Sequence, residues 1–164
     1  MDSKILSVLY SKYHKELYLY IYSLCKNRDV SEDILQETFL KSLLSLSEGH
    51  PNIRAWLYMV ARNLYYNYAK KEQNKTSLED AADVVCEDSV IDRIISADKT
   101  KVLYQAIGNL DRLKREVLVL QYFAALPQKE IAAVLSLTPE NVRVLSFRGK
   151  KEIKKYMEAR GYDI

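Results

Sequence analysis

Glycine, proline and cysteine are scarce in this 164-residue chain, which has four, three and two of them respectively. With few helix breakers, and with apolar residues recurring three and four positions apart almost throughout, the sequence predicts an all-α protein. The periodicity places a first helix over residues 3–24 and a break between helices near residues 108–111. No segment has the alternation of apolar and polar residues that is typical of a strand.

The cysteines and histidines are too few and too scattered for a metal site or a disulfide framework. Cys25 and Cys86 stand alone, and His14 and His50 are the only histidines. Isolated thiols of this kind fit a reducing cytosol. A carboxylate cluster, a phosphate loop and a nucleophile constellation are also missing, so we expect neither catalysis, nor a metal, nor a cofactor.

Long apolar runs are missing as well. Lys, His and Glu interrupt the N-terminal segment MDSKILSVLYSKYHKELYLYIYSL too often for the core of a signal peptide or for a membrane span. The composition therefore predicts a soluble protein of the cytoplasm.

Charge, by contrast, is abundant and divided into three blocks. Residues 1–70 carry nine Lys and Arg against seven Asp and Glu, residues 71–97 carry three against seven, and residues 98–164 carry thirteen against eight. The acidic segment 72–97 is also weakly periodic and poor in aromatic residues, which is typical of a flexible linker. We predict two small helical domains, 1–71 and 98–164, joined by this flexible acidic linker.

The second domain contains the spacing of a helix-turn-helix motif. A short helix from Pro127 to Leu135 is followed, after about three residues, by a longer helix that Thr138 can cap. Six basic residues and one acid lie between Arg143 and Lys155, a density that suits a polyanion. Duplex DNA is the expected ligand, and a plain αα-hairpin with a solvated basic face is the alternative.

Segment 52–71, NIRAWLYMVARNLYYNYAKK, combines an apolar stripe with rings and cations. Helical periodicity places Ile53, Leu57 and Leu64 on the core face. The opposite side is predicted to carry Arg54, Tyr58, Arg62, Tyr65, Tyr66 and Lys70, with Trp56 and Asn63 at its flank. Rings stack on unpaired bases while cations follow phosphates, so this side is expected to bind single-stranded nucleic acid. The alternative for any single tyrosine is packing inside a helix bundle.

A further helix, predicted from Asp29 to about Leu46, carries acidic residues around an apolar residue on one side. Asp29 is expected to cap this helix, and Glu32 is expected to bond back to the cap. One side of the helix is predicted to carry Asp33, Gln36, Glu37 and Leu40. A leucine among carboxylates indicates a docking surface for a basic partner, and a merely solvated acidic face is the alternative.

With these motifs, the chain resembles the extracytoplasmic-function (ECF) sigma factors, the smallest members of the sigma-70 family of bacterial RNA polymerase subunits. SEDILQETFLKSL resembles region 2.2, and IRAWLYMVARNLYYNYAKK resembles regions 2.3 and 2.4. A third segment resembles region 4, namely LDRLKREVLVLQYFAALPQKEIAAVLSLTPENVRVLSFRGKKEI. The motifs follow the order of the family and cover nearly the whole chain.

The resemblance implies a transcription initiation factor that binds core RNA polymerase and promoter DNA. Region 2.2 would contact the clamp helices of the largest polymerase subunit through Asp33, Gln36, Glu37 and Leu40. Regions 2.3 and 2.4 would open and read the −10 element through His50, Asn52, Trp56, Arg62, Asn63, Tyr66 and Asn67. Region 4 would read the duplex −35 element through Asn141, Arg143, Phe147, Arg148 and Lys151. The linker would thread towards the active-site and RNA-exit channels, and the sequence leaves open whether an anti-sigma factor is a further partner.

Three departures from the family pattern affect region 4. Ser136 stands at a turn where glycine is common, Pro127 stands where a serine usually enters the first helix of the motif, and Leu145 stands where many relatives have an arginine. Two other functions compete with the sigma factor interpretation: a stand-alone helix-turn-helix regulator, and a small helical enzyme that acts on nucleic acid. Stoichiometric binding to core polymerase separates a sigma factor from the stand-alone regulator.

Overall fold

The chain separates into two compact units, residues 1–86 and 87–164, and the computed structural model describes residues 2–47, 49–75 and 98–163. The first unit contains α1 (Ser3–Cys25), α2 (Arg28–Ser45) and α3 (Ile53–Lys75). The second contains α4 (Asp98–Gly108), α5 (Arg112–Leu118), a π-helical turn (Val119–Phe123), α6 (Gln128–Leu135) and α7 (Pro139–Glu158). Every regular element in the described ranges is helical, which confirms the predicted all-α class. No helix among them is both long and apolar enough to cross a membrane.

The predicted linker is described only at its start. Helix α3 continues to Lys75, so residues 72–75 are helical. Residues 76–97, which include Cys86 and most of the acidic segment, lie outside the described residues. The domain boundaries 1–71, 72–97 and 98–164 therefore stay a prediction, as does the linker's flexibility.

The three helices of the first unit pack pairwise around one core. Leu17 and Ile21 of α1, Phe39 of α2 and Leu57 of α3 are all buried. The first helix has the predicted extent, within one residue at its end. Helical spacing predicts that Ile5 lies on the packed side together with Leu9 and Leu17, but Ile5 is 37% exposed and Leu9 is the first buried residue of α1.

Helix α2 begins one residue earlier than predicted, and its cap is a different residue. Asn27 has an extended backbone, and its side chain accepts a hydrogen bond from the backbone N–H of Val30 at 3.1 Å. The prediction of an Asp29 cap was wrong because Asn27, equally able to cap, takes the N-cap position and leaves Asp29 in the first turn. Glu32 contacts Arg28 (3.4 Å) in an exposed ion pair.

In the second unit, α7 packs against α4, α5 and α6. The buried contacts include Leu118 of α5, Ile131 of α6 and Val142 of α7. The break between α4 and α5 lies where the sequence predicts it, and Asp111 caps α5 by accepting the backbone N–H of Lys114 at 3.0 Å. That hydrogen bond lowers the pKa of Asp111 below its ordinary value.

Candidate functional site

Helices α6 and α7 form the predicted helix-turn-helix. Pro127 is the N-cap residue of α6 rather than its first helical residue, and Ser136 after α6 has a left-handed backbone with φ of 56°. Serine accepts this conformation at a cost of roughly 1–2 kcal/mol. Thr138 then caps α7 by accepting the backbone N–H of Asn141 at 3.2 Å, and Pro139 occupies the first turn. The geometry of the motif thus matches the prediction.

The outer face of α7 is exposed and basic. All the residues predicted for the −35 element are exposed, namely Asn141, Arg143, Phe147, Arg148 and Lys151. Phe147 is 67% exposed, so its ring is available for a contact outside the unit. Leu145 is half-buried and supplies no cation to this face.

Helix α3 divides its rings between the core and the surface. Tyr58 is fully buried, and its ring centroid lies 5.2 Å from that of Tyr20 on α1. Placing Tyr58 on the nucleic-acid side was therefore wrong, and the packing alternative holds for this residue. Burial, aided by the nearby Glu16 carboxylate, raises the pKa of Tyr58. Arg54 also forms a contact within the unit, because its Nε donates to Oε1 of Glu16 on α1 at 2.7 Å.

The outward part of α3 is smaller than predicted and lies towards its C-terminal half. The guanidinium of Arg62 lies over the ring of Tyr66, 4.6 Å from the centroid, and the ring of Tyr65 meets that of Tyr66 edge-on at 5.1 Å. Asn63 and Asn67 are exposed one turn apart, whereas Tyr66 and Arg62 are half-buried. A cation, two amides and a partly open ring form a surface that suits unpaired bases.

His50 and Asn52 organise the start of α3. The Oδ1 of Asn52 accepts the backbone N–H of Ala55 at 3.0 Å, and the backbone N–H of Asn52 donates to Nδ1 of His50 at 3.0 Å. Both residues are half-buried, as is Trp56 in the first turn. His50 and Asn52 therefore have a structural role that their sequence pattern does not indicate, and the role of all three residues towards DNA stays a prediction.

The outer face of α2 presents the predicted acidic surface. Asp33, Gln36, Glu37 and Leu40 are all exposed, at spacings of three and four residues that place them on one side. Leu40 is 54% exposed, and Leu44, one turn further along, is 75% exposed. Two leucines beside two carboxylates form a surface with both apolar and acidic character. Within the described ranges, no three His, Cys, Asp or Glu side chains are placed to hold a metal ion.

Two family models match the chain. The model for Sigma-70 region 2 matches residues 9–75, and the model for Sigma-70, region 4 matches residues 100–153. The chain belongs to the ECF sigma factors of the sigma-70 family. This ECF sigma factor is 26% identical over 148 residues to the ECF RNA polymerase sigma factor SigM of Bacillus subtilis, across 89% of this chain and 91% of that protein. It is also 26% identical over 160 residues to SigX of the same organism, across 92% of this chain and 82% of that protein.

Solved structures of sigma factors share the fold. The sigma factor RpoE, in complex with the anti-sigma factor NepR from Bartonella quintana, has a TM-score of 0.73 at 20% identity, covering 94% of this chain and 98% of that one. CnrH, in complex with the cytosolic domain of CnrY, has a TM-score of 0.68 at 21% identity, covering 96% of this chain and 90% of that one.

In this ECF sigma factor, the region 2 match contains both the acidic face of α2 and the outward part of α3. The region 4 match contains the helix-turn-helix and ends within α7, at residue 153. Sequence reasoning missed the polar contact beneath α7, between Gln121 and Ser146, because neither residue fits an apolar pattern and no local motif connects them.

Proposed function

We propose that this ECF sigma factor binds core RNA polymerase and directs promoter-specific initiation of transcription in the cytoplasm, without a catalytic step of its own. The observation that carries the proposal is the pairing of two surfaces in one chain. One is an acidic face with exposed leucines in the region 2 match, and the other is an exposed basic helix in the region 4 match. The first suits a protein partner and the second suits DNA phosphates.

Helix α2 is the proposed contact with polymerase. Leu40 and Leu44 offer apolar area that none of the three described helices of the first unit covers, and Asp33 and Glu37 surround it with negative charge. Such a surface favours a partner helix that carries both cations and apolar side chains. The clamp helices of the largest polymerase subunit are the proposed partner.

The outward part of α3 is the proposed reader of the melted −10 element. The ring of Tyr66 and the guanidinium of Arg62 are already stacked in the free protein, so little side-chain ordering remains to be done on binding. Asn63 and Asn67 offer donors and acceptors to base edges. His50, Asn52 and Trp56 are proposed to border this surface at the start of α3.

Helix α7 is the proposed reader of the duplex −35 element. Asn141, Arg143 and Arg148 are exposed where base edges of the major groove would lie, and Lys151 would contact the backbone. Phe147 adds an exposed apolar ring, which suits contact with a thymine methyl group.

We extend the proposal to regulation by an anti-sigma factor, since RpoE and CnrH were solved with NepR and with the cytosolic domain of CnrY respectively. The linker, with its excess of acidic residues, is proposed to follow the polymerase channels. Its negative charge suits a basic tunnel.

Reconstitution with core RNA polymerase tests the proposal. We expect a complex of one sigma chain per core enzyme on gel filtration, and transcripts from a subset of a promoter library that core polymerase alone does not produce. A chain that binds duplex DNA but forms no complex with core polymerase would instead support the stand-alone regulator.

A further inference from the structure

A part-buried polar contact joins α7 to the π-helical turn beneath it. Ser146 is only 5% exposed, and its hydroxyl donates to Oε1 of Gln121 at 2.6 Å. Gln121 lies in the middle of the turn Val119–Phe123, whose neighbours Val119 and Leu120 are buried and apolar. A π-helical turn widens the backbone locally and changes the direction of its side chains, and such turns are frequent at functional sites. Here the turn directs one amide side chain to the underside of α7.

Beside Ser146, the buried face of α7 carries Gly149 in its middle and Val142 and Met157 towards its two ends. At Gly149, an added Cβ would lie 2.9 Å from Cδ1 of Leu118 and 3.6 Å from Cβ of Lys114, so the two helices approach closely at this point. At this close approach Gly149 offers no side chain that resists rotation of α7 about its axis, and the apolar side chains that do resist it, Val142 and Met157, lie nearer the helix ends. Apolar packing has no preferred direction, whereas a hydrogen bond depends on distance and angle. The contact between Ser146 and Gln121 therefore constrains the rotation of α7.

Other polar contacts of α7 constrain its rotation less. The amide of Gln128 donates to the carbonyl of Pro139 at 2.5 Å, and the ammonium group of Lys114 contacts Glu152 at 2.6 Å. Both contacts are more open to water than that of Ser146, and hydrogen bonds and ion pairs contribute little in water. The part-buried contact of Ser146 lies between them along the helix.

Two of the residues proposed to contact DNA adjoin this contact. Arg143 and Phe147 line a cleft of about 200 Å³, together with Lys150, Gln121 and Ser146. The tips of side chains lie about 6 Å from a helix axis, so a rotation of about 20° displaces them by about 2 Å. Hydrogen bonds to bases tolerate only a few tenths of an ångström. A small rotation would thus disrupt base contacts in a folded protein.

We infer that Gln121 and Ser146 are positioning residues that set the rotation of α7 and thereby the sequence discrimination of region 4. The inference rests on the proposed reading of the −35 element by α7. Removing Gln121 leaves the buried hydroxyl of Ser146 without this partner, whereas replacing both residues with apolar side chains of similar shape is nearly neutral for stability. The double replacement therefore separates an effect on the rotation of α7 from an effect on the stability of the second unit.

The test compares the wild type with Ser146→Ala, Gln121→Met and the double variant, each as the full chain assembled with core polymerase. Binding is measured on duplex promoters randomised across the −35 element, with thermal midpoints measured in parallel. In the double variant we expect preference at the most selective base pair to fall about tenfold, the discrimination that one good base contact provides. Its mean affinity over the library and its thermal midpoint should stay close to those of the wild type.

Two further variants serve as controls. Gln121→Glu keeps an acceptor oxygen for Ser146 and should retain the base-pair preference at the −35 element. Loss of that preference in Gln121→Glu would contradict the inference. Ser42→Ala removes a hydroxyl that is also buried, but in the first unit, and should leave the preference unchanged.

A double variant that discriminates as well as the wild type overturns the inference, because the contact would then be packing alone. If the double variant unfolds, a folded Ser146→Ala variant that keeps the preference of the wild type would overturn the inference as well. A wild type with no preference at any −35 position would overturn the proposed function of region 4 and this inference with it.

Discussion

Removal of the Tyr66 ring tests the proposed −10 surface directly. The ring is half-buried and lies under the guanidinium of Arg62, 4.6 Å away, so one part of it packs on the protein and the other is open to a base. Stacking of one base on an aromatic side chain contributes roughly 1–3 kcal/mol. We therefore expect Tyr66→Ala to weaken binding to a pre-melted −10 bubble by about tenfold to hundredfold. Permanganate reactivity of promoter thymines should fall on native duplex templates as well.

Tyr58, on the same helix, provides the matched control. Its ring is fully buried beside Tyr20, and truncation of a buried aromatic side chain to alanine costs about 3–5 kcal/mol. Tyr58→Ala should therefore lower the thermal midpoint strongly, while bubble affinity per folded molecule stays unchanged. If Tyr66→Ala behaves in the same way as Tyr58→Ala, the Tyr66 ring serves only for packing and the reasoning is refuted.

Three further predictions concern α2, α7 and α5. Glu37→Lys reverses a charge beside Leu40 and should weaken binding to core polymerase about tenfold or more. The circular dichroism spectrum should not change. Unaltered affinity for core polymerase would exclude the proposed role of α2. Arg148→Ala should cost about 1–3 kcal/mol at one base pair, whereas Lys154→Ala should weaken all sequences alike, as measured on duplexes with single −35 substitutions. An equal loss on every duplex would assign Arg148 to the DNA backbone. Asp111→Ala should destabilise the second unit by about 1 kcal/mol at neutral pH, since it removes the cap of α5. Because the pKa of Asp111 is lowered in the folded protein, this stabilisation is lost as the pH falls through the folded pKa. The thermal midpoints of the variant and the wild type should therefore converge in acid. A difference that stays constant down to the acid transition would contradict the role of the Asp111 charge.

The elements whose signals are local could be predicted from the sequence. Thr138 and Pro139 mark the start of α7 through cap chemistry that depends only on neighbouring residues, and the structure has them in these roles. The exposure of the basic face of α7 follows from the same periodicity that buries Val142.

Features that depend on distant packing could not be predicted in this way. A helix with one buried side would leave Tyr58 outside, but α3 packs against both α1 and α2 and so has two buried sides. In α2, Ser31, Thr38 and Ser42 are fully buried although hydropathy counts them as polar. The hydroxyls of Thr38 and Ser42 donate to backbone carbonyls one turn earlier, at 2.7 and 3.0 Å, which satisfies them without any partner from another helix.

The two buried sides of α3 explain how one helix can provide both a core element and a proposed reading surface. Its N-terminal half is fixed by the cap of Asn52, by the ion pair of Arg54 with Glu16 and by the burial of Tyr58. Tyr66 lies eight residues beyond Tyr58, or about 12 Å along the axis, on a continuous helix that this anchored half supports. Because the backbone of the proposed surface is already ordered, base binding there would not have to offset the entropy of folding a loop. The aromatic residues of this segment would therefore act in two ways: the buried ring of Tyr58 fixes the helix, and the half-buried ring of Tyr66 is the one proposed to stack on a base.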